Sequence, residues 1–277
     1  MHMNRILHED SDIIVCHKPA GIATQTAKVG QADMVSEITN YLASKEGASG
    51  KSLHVSVVHR LDQPVEGILV FAKNKQAAAD LSRQAAGKDM KKEYLALVCG
   101  KDMPRTGELT DFLLKDGKTN VSRIVPPEIK GAKQARLSYE ILWEEAADSL
   151  LLVRETEGIL AKNRIENDIL DGRRSDDGMI GQPANGLQYA LVKICLHTGR
   201  HHQIRVQMAN AGMPLLGDRK YGDEAALALS EKLGVRETAL CAYRLSFIHP
   251  KTGKQMQFEI RPEGAAFHRV RLNENRV

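Results

Sequence analysis

Aromatic side chains are scarce, 4% of 277 residues with a single tryptophan. A protein that binds single strands only by stacking bases on aromatic platforms is therefore disfavoured. No apolar run approaches the roughly 20 residues of a membrane-spanning helix. The opening MHMNRILHEDSDIIV carries charge where a signal peptide needs an apolar core, so a cytoplasmic protein that touches no membrane is expected. Cys16, Cys99, Cys195 and Cys241 are scattered without a CxxC, which reads as reduced thiols rather than a disulfide frame or a zinc site. HExxH and GxSxG are missing as well. GASGKS at 47–52 fails as a phosphate loop, because Lys45 stands where that loop needs a glycine and a helical segment precedes it.

What is present is an ordinary globular composition, 42% hydrophobic and 27% charged, with net charge +4. Such an excess suits a polyanionic partner but also an ordinary solvated surface. Basic clusters stand at 88–92, 200–205 and 269–276. SDIIVCHKP, GILVFAKN, KKEYLALVCG, QARLSYEILWEE and YALVKICLHTG read as strands. LCAYRLSFIHPKTGKQMQFEIRP reads as a hairpin around Thr252-Gly253. ADMVSEITNYLASKEG, KQAAADLSRQAAGKD and HHQIRVQMANAG read as helices. Strict alternation of strand and helix is missing, so the expected class is α+β, a mixed or antiparallel central sheet flanked by helices and loops. Residues 144–187 are polar and weakly periodic, which predicts a surface insertion between two strands, with one short helix around Ile165–Leu170.

Two constellations could carry chemistry. In VVHRLDQPVEGILVFAKN, residues 57–74, the carboxylate of Asp62 stands beside His59 and Arg60 at the lip of a buried strand. It is either a turn carboxylate or an acid kept ionised by cations at a cleft edge. In LHTGRHHQIRVQMANAGMPLLGDRKYG, residues 196–222, Arg200 and Arg205 flank a strand-to-helix turn that could face a phosphate backbone or merely solvent. His197 and His201 have metal-ligand spacing, but Thr198-Gly199 interrupts a helix there and a third ligand is not evident, so no metal is expected.

Together, ILHEDSDIIVCHKPAGI, HRLD with GILVFAKN, KKEYLALVCG, LHTGRHHQIRVQMANAGMPLLGDRKYG and LCAYRLSFIHP resemble the ordered motifs of the RluA-type pseudouridine synthases along nearly the whole chain. The resemblance implies one catalytic domain over 1–277 that isomerises uridine in structured ribosomal or transfer RNA. It implies neither metal nor cofactor, a monomer, and no N-terminal S4 module. By the same resemblance Asp62 is the catalytic carboxylate, Tyr94 lies against the uracil, and Arg205 pairs with Asp62. Arg60 helps hold the extruded nucleotide, and His59, Arg200, His202 and Lys220 complete the expected RNA-contacting set. The chain departs from the family in Gln63-Pro64-Val65-Glu66-Gly67 after HRLD, in GRHHQIR where GRTHQIR is commoner, and in Leu240-Cys241-Ala242 where LHA is common. Two competing readings are a non-catalytic RNA-binding protein on the same fold and a metal-dependent hydrolase built on the three histidines.

Overall fold

A continuous apolar run such as EGILVFA needs cover on both faces, which places it inside a sheet rather than at its edge. The computed structural model describes residues 5–26, 30–46, 54–147 and 186–269, and in it this run is the fully buried strand β4 (Glu66–Ala72). The strands are β1 (Ile6–Glu9), β2 (Ile13–Lys18), β3 (Ser56–Val57), β4, β5 (Lys91–Gly100), β6 (Thr106–Asp116), β7 (Val121–Ile124), β8 (Lys133–Ala146), β9 (Gln188–Leu196), β10 (Leu240–Ile248) and β11 (Gln255–Glu259). They form one mixed sheet in the order β1-β2-β4-β10-β5-β9-β8-β6-β7, with β3 on β4 and β11 on β10. Only the β4–β10 pairing is parallel among those described. The helices are α1 (Met34–Glu46), α2 (Lys75–Ala86), α3 (Gln203–Asn210) and α4 (Glu224–Leu233). None of the described helices is long and apolar enough to cross a membrane.

Strand alternation decides which helix covers which face. On β2 and β4, Ile14, Cys16, Leu69 and Phe71 pack with Met34, Ile38 and Leu42 of α1, whereas Ile13, Val15, Ile68 and Val70 pack with Ala77 and Leu81 of α2. On β5, Tyr94, Ala96 and Val98 share a cluster with Ile204 and Met208 of α3, whereas Leu95, Leu97 and Cys99 meet Leu229 and Leu233 of α4. Asn74 caps α2 by accepting the N–H of Ala77 at 2.8 Å.

The α+β class and the mixed sheet follow the sequence reading. The expected insertion is corrected at its start, since Glu144 and Glu145 belong to β8, which pairs antiparallel with β9 up to Ala146 opposite Gln188. Residues 148–185 of that stretch, with the expected short helix, lie outside the described residues.

One glycine is required for the sheet to close behind the HRLD loop. Gly67 has φ +139, and a Cβ there would lie 2.5 Å from the backbone nitrogen of Ala242 on β10. Backbone strain and overpacking each cost about 1–3 kcal/mol. Gly67→Ala is therefore expected to lose about 3 kcal/mol or more, read by urea denaturation.

Candidate active site

Asp62 lies on the loop between β3 and β4, and the backbone around it is fastened on both sides. Leu61 donates its N–H to Thr24 Oγ1 at 3.1 Å, and that hydroxyl donates to Leu61 O at 3.0 Å. Gln63 O accepts the N–H of Gly21 at 2.9 Å and Lys18 Nζ at 3.1 Å. Gln63 Nε2 donates back to Gly21 O at 3.0 Å. Val65 N–H donates to Asp62 O at 3.1 Å and closes the turn. Lys18 is fully buried at the end of β2 and also donates to Pro19 O and Ile22 O. Burial draws its pKa down to about 8 against the opposing charge of Asp62. The ammonium thus ties the turn after β2 to the loop that carries Asp62.

The carboxylate meets its cation across the molecule. Arg205 Nη1, on α3, donates to Asp62 Oδ2 at 3.2 Å. The stronger partner of Arg205 is Asp218, which accepts Nε and Nη2 at 2.7 Å each in a fork that only a guanidinium makes. Burial alone would lower the pKa of Arg205, but the hydrogen bonds and charge of Asp218, with those of Asp62, raise it. The pairing expected from the resemblance is therefore one arm of a carboxylate–guanidinium–carboxylate triad with net charge −1. Gly217 at φ +73 turns the chain into Asp218, and a Cβ there would lie 2.0 Å from Glu237 O. Oδ1 of Asp62 has no hydrogen-bond partner among the described residues, and the side chain is 26% exposed.

Asp62, Arg205 and Tyr94 open on one cavity of about 680 Å³, which His59, Arg60, Arg200 and His202 also line. Tyr94 is buried, and burial together with the charge of Asp62 pushes its phenol well above the usual value, so it is a neutral hydroxyl at pH 7. His202 is buried in a left-handed conformation, φ 55, with Nε2 3.6 Å from Asp62 Oδ2. Its Nδ1 lies 2.7 Å from the Tyr221 hydroxyl, which accepts the N–H of Ser122 at 2.8 Å. The Arg205 guanidinium sits 5.1 Å over the Tyr221 ring. His202 thus braces the carboxylate's surroundings instead of reaching out as a surface contact. His59 also faces inward, and its Nε2 accepts Val70 N–H at 3.3 Å. Arg60 and Arg200 are exposed, donating to Gln25 Oε1 and Gln134 O. Lys220 is exposed but does not line the cavity, and its Nζ donates to Asn120 O.

The three histidines weighed as metal ligands turn to different partners. His197 Nε2 meets Ser138 Oγ, His201 Nδ1 meets Ser122 Oγ, and His202 Nδ1 meets Tyr221. A separate grouping of Asp10, Asp12 and His249 is held by its own hydrogen bonds. Asp10 Oδ1 accepts the N–H groups of Asp12 and Ile13, and Oδ2 faces both His8 and His249.

Sequence reasoning missed Lys18, Asp218, Tyr221 and Ser122. A lysine closing an otherwise apolar strand just before a proline was a usable signal for the first. A lone acid after a glycine in a cationic turn was one for the second. Tyr221 and Ser122 carried none.

Burial holds His202 neutral down to about 4 and His59 down to about 3. The unfolded chain takes up those protons near 6.5, so it binds more protons than the folded chain between about 4 and 6.5. The contribution of these two histidines to stability is thus complete above 6.5 and is lost as pH drops through that window. For His202 the difference corresponds to about 3 kcal/mol. Urea denaturation at pH 7.5 and 4.5 is expected to show this loss, and His202→Gln to shrink it.

The profile of the RNA pseudouridylate synthase family matches residues 12–210, a span that contains Asp62, Tyr94 and Arg205. The uncharacterized RNA pseudouridine synthase YhcT of Bacillus subtilis (strain 168) is 30% identical over 89% of this chain, which spans 65% of that relative's length. The tRNA pseudouridine synthase C of Haemophilus ducreyi is 30% identical over 89% of this chain and 86% of its own. The ribosomal large subunit pseudouridine synthase D of Zymomonas mobilis is 30% identical over 92% and 68%. In fold, the solved human RNA pseudouridylate synthase domain containing 4 aligns with a TM-score of 0.65 at 20% identity, over 97% of this chain and 93% of that one. With the family profile matching more than half of its length and relatives among both ribosomal and transfer RNA synthases, this chain belongs to the RNA pseudouridylate synthase family.

Proposed function

We propose that the protein isomerises uridine within structured ribosomal or transfer RNA to pseudouridine, with Asp62 as the catalytic carboxylate. The observation that carries this reading is the Asp62–Arg205–Asp218 triad opening on a cavity shared with a neutral, buried Tyr94. In the reaction the N1–C1′ bond breaks and a C5–C1′ bond forms. The proton lost from C5 is matched by one gained at N1, so the change is redox neutral. Asp62 Oδ1 either attacks C1′ or takes the proton from C2′ on the way to a glycal. Arg205 holds Oδ2, offsets its charge beside a polyanion, and leaves Oδ1 for the ribose. Tyr94 stands against the uracil as a neutral hydroxyl for the proton transfers. Arg60, Arg200 and Lys220 meet the RNA backbone, while His59 and His202 shape the cavity into which the nucleotide is flipped.

The test is direct. Purified protein is incubated with unmodified transcripts of ribosomal and transfer RNA, and pseudouridine is mapped along them. Conversion of one or a few positions is expected. Binding of both RNAs without conversion at any position would favour the non-catalytic reading instead.

A further inference from the structure

Of the cations around the cavity, one has a side chain that nothing so far explains. Lys92 precedes Tyr94 by two positions on β5, so both point to the same face, and both line the cavity. Its neighbours point the other way. Lys91 is exposed, and Glu93 is engaged with Tyr243 Oη at 2.9 Å and Arg244 Nη1 at 3.1 Å. Among the described residues Lys92 has no carboxylate within ion-pair distance and no hydrogen-bond acceptor. It is only partly exposed, and burial lowers its pKa. Its Nζ lies 3.5 Å from where a Cβ on Gly199 would stand, so the missing side chain at 199 leaves room beside the ammonium. His59, which Lys92 also disfavours as a cation, is neutral and offers no counter-charge.

A partly shielded, unpaired ammonium is costly unless a ligand supplies the anion. The triad, which opens on the same cavity, has net charge −1, so an incoming nucleotide meets net repulsion at the carboxylates. Arg60 and Arg200 are exposed, and their charges are screened by water and salt. Lys92 is shielded, and its attraction is correspondingly stronger.

We propose that Lys92 binds a phosphate flanking the target uridine, beside Gly199 inside the cavity, and so holds the flipped nucleotide against the charge of the carboxylate it must approach. The inference rests on the reading of this cavity as the uridine site. The obvious competitor for the ammonium is a carbonyl oxygen of the uracil.

The probes are uridine 3′,5′-bisphosphate and uridine, titrated into the full chain and followed by NMR or calorimetry. Wild type is expected to bind the bisphosphate more tightly than uridine. Lys92→Met is expected to weaken the bisphosphate roughly tenfold, as loss of a charged hydrogen bond does, and to leave uridine within about twofold. Lys91→Met, on the opposite face, is expected to change neither, and Lys92→Arg to retain most of the preference. On RNA, Lys92→Met is expected to reduce the salt slope of log K by about 0.7–0.9. Lys92→Gln repeats the test with a neutral polar side chain if the methionine variant folds poorly. An undiminished preference for the bisphosphate in either folded variant overturns the inference. So does an equal loss for uridine, which would place the ammonium on the base. Because the titration reads binding and not turnover, a protein inactive on RNA still answers for Lys92. An active one whose Lys92→Met variant keeps its preference loses this inference alone.

Discussion

Asp62→Asn is expected to reduce pseudouridine formation at saturating RNA by roughly 10²–10⁴-fold if the carboxylate serves as base, and by more if it is the nucleophile. The fold is expected to survive. Arg205 keeps its two 2.7 Å hydrogen bonds to Asp218 when Asp62 loses its charge, so the substitution strands no buried ion. The loop backbone is fastened through Leu61, Gln63 and Val65 and does not depend on the carboxylate. RNA affinity is expected to hold or to rise, since a negative charge is removed beside a polyanion. The check is single-turnover kinetics together with a melting curve. A turnover within a few-fold of wild type would contradict the assignment.

Arg205→Met is expected to have the largest effect on stability, as well as abolishing turnover. Asp218 is 1% exposed, and without Arg205 its buried charge retains only the N–H groups of Lys220 and Tyr221. Removing one partner of a buried pair costs about 3–5 kcal/mol, which for a chain of this size lowers the melting temperature by roughly 10 °C. Arg205→Lys is expected to recover little, because an ammonium cannot make the fork to Asp218 and still reach Asp62. Adding Asp218→Asn to Arg205→Met removes the stranded charge and is expected to restore stability without activity. Arg200→Met separates binding from this role. Its exposed guanidinium is expected to contribute RNA affinity and about one phosphate to the salt dependence, with no loss of fold. Urea denaturation of the two single variants decides the matter. Equal stability of Arg205→Met and Arg200→Met would contradict a structural role for the triad.

The parts legible in the sequence are those whose own periodicity encodes burial. β2, β4, β5, β9 and β10 sit in the middle of the sheet, and their runs are apolar enough to announce themselves. β6 gives no such signal, because TGELTDFLLKD lies near the sheet's edge and mixes acids with few buried positions. α4 is absent from the sequence reading although Asp223 caps it and Gly234 ends it at φ 66. For the site, Asp62 and Arg205 stand out only as separate candidates, and their pairing and the place of Tyr94 rest on the resemblance, since no local pattern links residues 143 positions apart. Asp218 and Lys18 stayed hidden for a related reason. Each is polar yet buried, each is satisfied by tertiary hydrogen bonds, and periodicity reports only apolar burial.

Pseudouridine formation through Asp62 can be read in the cell. It is tested most directly by mapping pseudouridine across total RNA from a strain lacking the gene, complemented with either the wild-type chain or Asp62→Asn. One or a few positions are expected to lose pseudouridine in the deletion, regain it with wild type, and stay uridine with Asp62→Asn. An RNA profile unchanged by the deletion, or one restored equally by Asp62→Asn, would contradict it.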